Sequence, residues 1–325
     1  MSTTWLLTGG AGYIGAHIAE ALLASGRGVV VLDDMSTGIR ANVPQDVALV
    51  EANLLDAAAV RNALIDHEVS GVVHLAGKKA VGESVDRPLW YYEQNLTGTQ
   101  SVLSAMVDTG VTRLVFSSSA STYGTQPTEM VTEDVIARPE SPYGETKLVS
   151  EWIIRHVCNA NGLAAIALRY FNVVGAARPP LGDRGVFNLV PLALRALSNG
   201  EAPQIYGDDY PTRDGTCIRD YIHAIDLASA HVAAVKALDA GRTGFDVMNV
   251  GRGQGVTVRE VLQAVRAVTG IDVDPVVVGR RAGDPAAVVA SADRISRELD
   301  WRAVYDLSSM VTSAWDAWQV IPATS

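Results

Sequence analysis

Thr4-Trp5-Leu6-Leu7-Thr8 reads as a short buried strand that runs at once into Gly9-Gly10-Ala11-Gly12-Tyr13-Ile14-Gly15 and an apolar-periodic helix through Leu23. Few arrangements other than strand, tight turn and helix satisfy that order. Gly10 and Gly12 permit the turn and the approach of a pyrophosphate to bare backbone. Gly15 permits close helix-to-strand packing, and the helix N-terminus offers N–H donors and the positive end of its dipole. A dinucleotide is the ligand this opening suits, with Gly9, Gly12, Tyr13, Ile14 and Gly15 against it. A second strand, Gly28 to Leu32, ends at Asp33, close to the spacing of about 20 residues at which a carboxylate grips the adenosine ribose hydroxyls. Asp33 would repel a ribose phosphate, which favours NAD over NADP. Alternatively Asp33, with Asp34 and Gly38, is turn chemistry at a strand end.

Strand-like apolar runs continue at Val47–Glu51, Gly71–Leu75, Arg113–Ser117 and Ala164–Tyr170, separated by stretches long enough for crossover helices. That alternation predicts an α/β fold, a Rossmann-type doubly wound parallel sheet joined to a smaller α/β substrate-binding domain. The rhythm breaks after Tyr170 into a loop-rich region. The expected division gives residues 1–170 plus about 218–240 to the NAD-binding unit, and 171–217 plus 241–325 to the other.

With 325 residues and 48% hydrophobic content the chain can bury a large core. Its net charge of −10 carries no basic block, which argues against nucleic acid or an anionic membrane as partner. No run approaches the roughly 18 apolar residues of a spanning helix, and Met1 to Thr4 leads straight into a strand, so a cytoplasmic location is expected. The two cysteines, Cys158 and Cys217, are expected to be packing residues. The six histidines lack ligand spacing, and no metal is expected.

Ser141-Pro142-Tyr143-Gly144-Glu145-Thr146-Lys147 puts a phenol and an ammonium four residues apart on one helix face, with Pro142 suited to the first turn. A buried cation beside Tyr143 would favour its phenolate and make it a base. Ser117-Ser118-Ser119 stands at the carboxyl end of a strand, where ligands bind in open α/β sheets. One of these hydroxyls can bond a reacting oxygen, or the run is a serine-rich turn.

On these residues the chain resembles the extended short-chain dehydrogenase/reductase family and, within it, the UDP-glucose (UDP-galactose) 4-epimerases. Further marks are Lys78 to Ser84, Leu168 to Asn172, and Asp209 to His223. The resemblance implies that Ser119, Tyr143 and Lys147 are catalytic. It adds Asp34, Asn53, Leu54, Leu75, Ala76, Gly77, Lys79, Asn95, Ser117 and Tyr170 to the NAD set. On the UDP-sugar side it implies Lys79, Ser119, Ser121, Tyr143, Asn172, Asn188, Leu189, Gln204, Tyr206, Arg219, Tyr221, Arg281 and Asp284. Arg219 and Arg281 would answer the diphosphate and Tyr206 would lie against uracil. The implied reaction removes the 4-hydroxyl proton and the C4 hydride, then returns hydride to the opposite face. A homodimer is implied too, with Gln94–Met106 and Leu148–Cys158 as candidate contact helices.

Some positions depart from that pattern. Asn53 stands where these epimerases usually carry Asp near adenine. Val288 replaces a frequent Tyr and would leave room beside the sugar C2 substituent, which suits N-acetylated UDP-hexoses. The loop from Gly175 to Phe187 carries Arg178 and Arg184 in place of an acidic segment. These are either solvated loop charges or partners for the C6 carboxylate of UDP-glucuronate and UDP-galacturonate. A 4,6-dehydratase would usually carry Thr-Asp-Glu after the serine strand, whereas this chain has Ser119-Ala120-Ser121-Thr122-Tyr123. The remaining alternative is a regulator that binds NAD without turnover.

Overall fold

Alternation within the first strand sets the layers: Trp5 and Leu7 point to one side of a sheet and Leu6 to the other. The computed structural model describes residues 3–281 and 284–320. In chain order its strands are β1 (Thr4–Thr8), β2 (Gly28–Asp33), β3 (Ala48–Glu51), β4 (Gly71–His74), β5 (Arg113–Ser119), β6 (Met130–Val131), β7 (Ala164–Tyr170), β8 (Asn172–Val174), β9 (Gln204–Tyr206), β10 (Ile218–His223), β11 (Phe245–Val250), β12 (Gly255–Thr257), β13 (Val276–Val278) and β14 (Ala287–Ala290). The helices are α1 (Tyr13–Ala24), α2 (Ala57–Asp66), α3 (Val81–Asp86), α4 (Pro88–Tyr92), α5 (Gly98–Thr109), α6 (Pro142–Asn161), α7 (Leu189–Ser198), α8 (Ala224–Asp239), α9 (Val258–Thr269), α10 (Asp293–Leu299) and α11 (Leu307–Val320).

Among the described residues seven strands, in the order β11-β7-β5-β4-β1-β2-β3, form one parallel sheet. Such a sheet must be covered on both faces, which is why its strands read as nearly unbroken apolar runs. On one face Trp5, Leu7 and Val31 pack with Ile18 and Leu22 of α1 and Leu227 and Val235 of α8. On the other, Leu6, Val30 and Val72 pack with Val60 of α2, Met106 of α5 and Ile154 of α6. The chain runs outward from β1 to β3, then crosses back to β4, so the order reverses between β1 and β4. A crevice opens at the carboxyl ends of strands at such a point. This is the expected Rossmann-type doubly wound sheet.

A second sheet, β12-β10-β14-β6 with β8 beside β10, and a β13–β9 pair make the smaller α/β part. It packs against α7, α9 and α11 through Val190, Leu194, Val261 and Met310. A capping box, with Thr257 and Glu260 bonding each other's backbone N–H, starts α9.

The segment assignments differ from the expected division at two places. β11 pairs along its length with β7 in the main sheet, so residues 245–250 belong there, because α8 feeds straight back to an otherwise open sheet edge. β10, expected with the main sheet, lies in the second one, while α8 packs on the first. The serine triplet forms the last three residues of β5. No described helix is long and apolar enough to cross a membrane.

Candidate active site

A cleft of about 470 Å³ opens at the switch between β1 and β4, within the few hundred Å³ usual for ligand sites. One end is made by the glycine turn. A Cβ on Gly15 would come 2.2 Å from the Gly9 carbonyl oxygen, so only glycine lets α1 start this close to its strand. Asp33, at the end of β2, accepts from the Ala11 and Met35 N–H groups, both at 3.0 Å. It therefore holds the turn and lines the cleft at once, which joins the two readings of this residue. Burial raises its carboxyl pKa, with those two N–H groups opposing. Asp34 accepts from Ser36 and from Asn53 Nδ2 at 3.0 Å, so Asn53 acts here as a donor fixing Asp34. Leu54, Leu75, Ala76, Gly77 and Lys79 line the same wall.

Asn95 reaches the site by a different route. A wide π-type turn over Glu93–Thr97 aims its amide at the Lys78 backbone, accepting from N–H at 2.8 Å and donating to C=O at 3.1 Å and to Thr146 Oγ1 at 3.0 Å. It positions the Lys78–Lys79 wall and does not itself line the cleft, where its neighbour Gln94 stands.

The inner end carries Tyr143, Lys147 and Tyr170. Ser141 caps α6 by accepting from Gly144 N–H at 3.2 Å, with Pro142 in the first turn. A Cβ on Gly144 would lie 2.4 Å from the Ser121 carbonyl oxygen, so this glycine lets α6 press onto the Ser119–Ser121 turn. That approach brings the Tyr143 phenol close enough to the Ser119 hydroxyl for Ser119 to favour its ionised form. Ser119 Oγ also accepts from Ser121 N–H at 3.1 Å, and this bond orients the hydroxyl.

The expected lowering of the Tyr143 pKa by Lys147 is not present in the chain alone. Burial raises the phenol, with the Ser119 hydroxyl opposing. Lys147 Nζ stands 6.0 Å from the Tyr143 ring centroid and donates to Ser117 C=O at 2.9 Å. Burial pushes Lys147 down to about 8, opposed by the charge of Glu151. Ser117 Oγ bonds His231 at 3.0 Å and contacts Tyr170, so it braces the site from behind.

On the facing part, Arg219 donates to the Ile218 and Pro285 carbonyls at 2.8 Å and pairs with Asp284 at 3.3 Å. Arg281 lies 3.8 Å over the Tyr206 ring, whose hydroxyl donates to Gln204. Asn172 donates to the Asp220 carbonyl, Asn188 and Leu189 start α7, and Tyr221 is buried. Arg219 thus pairs with Asp284 and Arg281 with Tyr206, and none of the four lines the cleft. Arg178 and Val288 lie outside the cleft lining. Arg178 bonds Glu20 on α1. Val288 packs in an apolar cluster with Tyr123, Val131 and Phe171. Arg184 does line the cleft, with Gly182, Asp183 and Phe187. Ser36, Lys78 and Asp183 are cleft residues that the sequence reading missed. The doubled Lys78-Lys79 was the available signal for one of them.

A strand-end carboxylate, a glycine turn and buried Tyr143 and Lys147 in one cleft, with Ser119 next to the phenol, define a dinucleotide-dependent enzyme of the short-chain dehydrogenase type. The family model described as "NAD dependent epimerase/dehydratase family" matches residues 5–251, and the chain belongs to that family. A UDP-glucose 4-epimerase of Corynebacterium glutamicum is 43% identical over 95% of this chain and 94% of its own length. The crystal structure of a UDP-glucose 4-epimerase from Stenotrophomonas maltophila, with bound NAD and formylated UDP-arabinopyranose, superposes with a TM-score of 0.93 at 39% identity, covering 98% of each chain. That of the Bifidobacterium longum UDP-glucose 4-epimerase, in complex with NAD+ and UDP, gives 0.91 at 36% identity, over 98% of this chain and 99% of the other.

Proposed function

We propose that this chain is an NAD-dependent UDP-hexose 4-epimerase that interconverts UDP-glucose and UDP-galactose through a 4-keto sugar. The observation that carries the reading is buried Tyr143 and Lys147 together at the inner end of the cleft, with Ser119 near enough to Tyr143 to favour its ionised form. NAD suits the glycine turn and the Asp33 carboxylate, which line one cleft of about 470 Å³. When bound it takes up and returns the C4 hydride and adds a positive charge to the site. That charge supplies what Lys147 alone does not, a force that brings the raised Tyr143 phenol down to where it can act as a base. Tyr143 then takes the 4-hydroxyl proton and gives it back, Ser119 holds O4, and Lys147 holds the cofactor ribose. Arg219, Arg281 and Tyr206 anchor UDP, with Asn172, Asn188, Leu189, Gln204, Tyr221 and Asp284 around it, so that the hexose alone turns between half-reactions.

A neutral hexose is favoured over an N-acetylated one by the likeness to UDP-glucose 4-epimerases along nearly the whole chain. A uronate pair has less support, since Arg178 is spent on Glu20. We also place the enzyme in the cytoplasm, in keeping with two buried free thiols. We take it to be a homodimer through α5 and α6, which leave Val107 and Trp152 exposed. The NAD unit then comprises the seven-stranded sheet with its helices, and the UDP-sugar unit the second sheet with α7, α9 and α11. Purified protein incubated separately with UDP-glucose, UDP-glucuronate and UDP-N-acetylglucosamine, without added cofactor, should give one 4-epimer, from UDP-glucose, and no accumulating NADH. Stoichiometric NADH, a dehydrated keto sugar or no product from any sugar would remove the reading.

A further inference from the structure

Two arginines six residues apart in one loop do different things. Tyr13 OH donates to the Gly175 carbonyl, Ala177 N–H donates to His17 Nε2 at 3.0 Å, and Arg178 donates to Glu20 at 2.8 Å. Tyr13, His17 and Glu20 fall on one face of α1, so the root of the loop is stitched to the helix whose N-terminus closes the glycine turn. From there the chain dips through buried Leu181 and returns as Gly182 to Gly185 in the wall of the cleft. Arg184 makes no ion pair among the described residues, and its Nε is buried without an acceptor. A buried guanidinium donor in that condition lacks its anion.

We infer that Gly182–Phe187 is a strap across the dinucleotide cleft and that Arg184 answers the cofactor's diphosphate from the side opposite the glycine turn. The inference rests on NAD binding as read above and is independent of the sugar. Its neighbours favour the cofactor over a sugar carboxylate. Arg184 shares its cleft with Gly12, Tyr13 and Lys79, whereas Tyr206, Arg219 and Arg281 do not line it. Asp183 is close enough to Lys79 and Tyr13 to act on both electrostatically, so the strap and the cofactor wall already face each other. A planar guanidinium with several donors suits a diphosphate. A strap held at its root to α1 would slow escape of the reduced cofactor during the keto stage.

The test is NAD affinity of Arg184→Gln, measured by fluorescence titration of cofactor-stripped protein without any sugar. We expect the dissociation constant to rise on the order of ten-fold or more, as for loss of a charge-assisted bond, and less NAD to copurify. Arg184→Lys should recover part of the loss. The stripped variant should melt no lower than the stripped parent, since an unpaired buried donor is removed, while NAD raises its Tm less than the parent's. NAD affinity within two-fold of the parent overturns the inference, and so does a selective loss of UDP-glucuronate turnover at unchanged NAD affinity. Because binding is read without sugar, an absence of epimerisation would sink the catalytic reading and leave this one standing.

Discussion

Replacing Glu151 by Gln should unsettle the catalytic strands from behind. Glu151 on α6 accepts from Arg169 Nε at 2.9 Å and from its Nη2 at 2.6 Å, and from Ser118 Oγ at 2.5 Å, all within the buried core. Burial alone would lower the Arg169 pKa. The hydrogen bonds and charge of Glu151 more than reverse this, so the guanidinium stays charged. Glutamine keeps the shape but leaves that cation without its counter-charge, a change that costs about 3–5 kcal/mol in buried pairs. Unfolding entropy of about 2 cal/mol/K per residue over 325 residues turns this into a Tm lower by about 4–7 °C. Ser118 is opposite Arg169 and Ser119 opposite Tyr170 in the β5–β7 register, so kcat should also fall. Calorimetry with a turnover assay reads both, and a double Glu151→Met, Arg169→Met variant should regain much of the stability. A single-variant shift below about 2 °C, or a double variant as unstable as the single, would refute the reasoning.

Tyr143→Phe should lower kcat by about 10²–10⁴ while copurified NAD is unchanged, and substantial retained turnover would remove Tyr143 from proton transfer. Arg219→Ala should raise the inhibition constant for UDP about ten-fold or more, with little change in NAD content; equal loss of both would mean a folding defect. Stability should fall as pH drops from about 7 towards 5. Burial holds His223 and His231 at about 4 and His74 at about 3, so the unfolded chain binds more protons across that window. His17 is lowered by burial too, while Asp220, raised to about 6, and Asp33, Asp183 and Asp226, also raised by burial, work in the opposite direction. The histidines prevail between about pH 7 and 5 because the unfolded imidazoles take up their protons there, before unfolded carboxylates do. A urea midpoint that stays level or rises from pH 7 to pH 5 would contradict this.

The glycine turn, Asp33 and the Ser141-capped helix were legible because each is written within a few adjacent residues, where spacing dictates geometry. What the sequence could not convey depends on distant pairing. Helical spacing alone points the Lys147 ammonium at Tyr143, but it donates to the Ser117 carbonyl of β5, 30 residues earlier in the chain. Asn95 acts through a π-type turn that no local pattern marks. Arg178 and Arg184 look equivalent in the loop sequence, and only the position of Glu20 on α1 separates them. β11 joins the main sheet through β7, about 80 residues earlier in the chain, a partner that no local signal marks.

The central claim is that the C4 hydrogen leaves the sugar and returns to it within one active site. UDP-galactose deuterated at C4, turned over by the enzyme as purified in ordinary water, tests this directly by mass spectrometry and NMR of the product. The account predicts UDP-glucose that retains deuterium at C4, with no net NADH. Loss of the label to solvent, or its appearance in released cofactor, would contradict it.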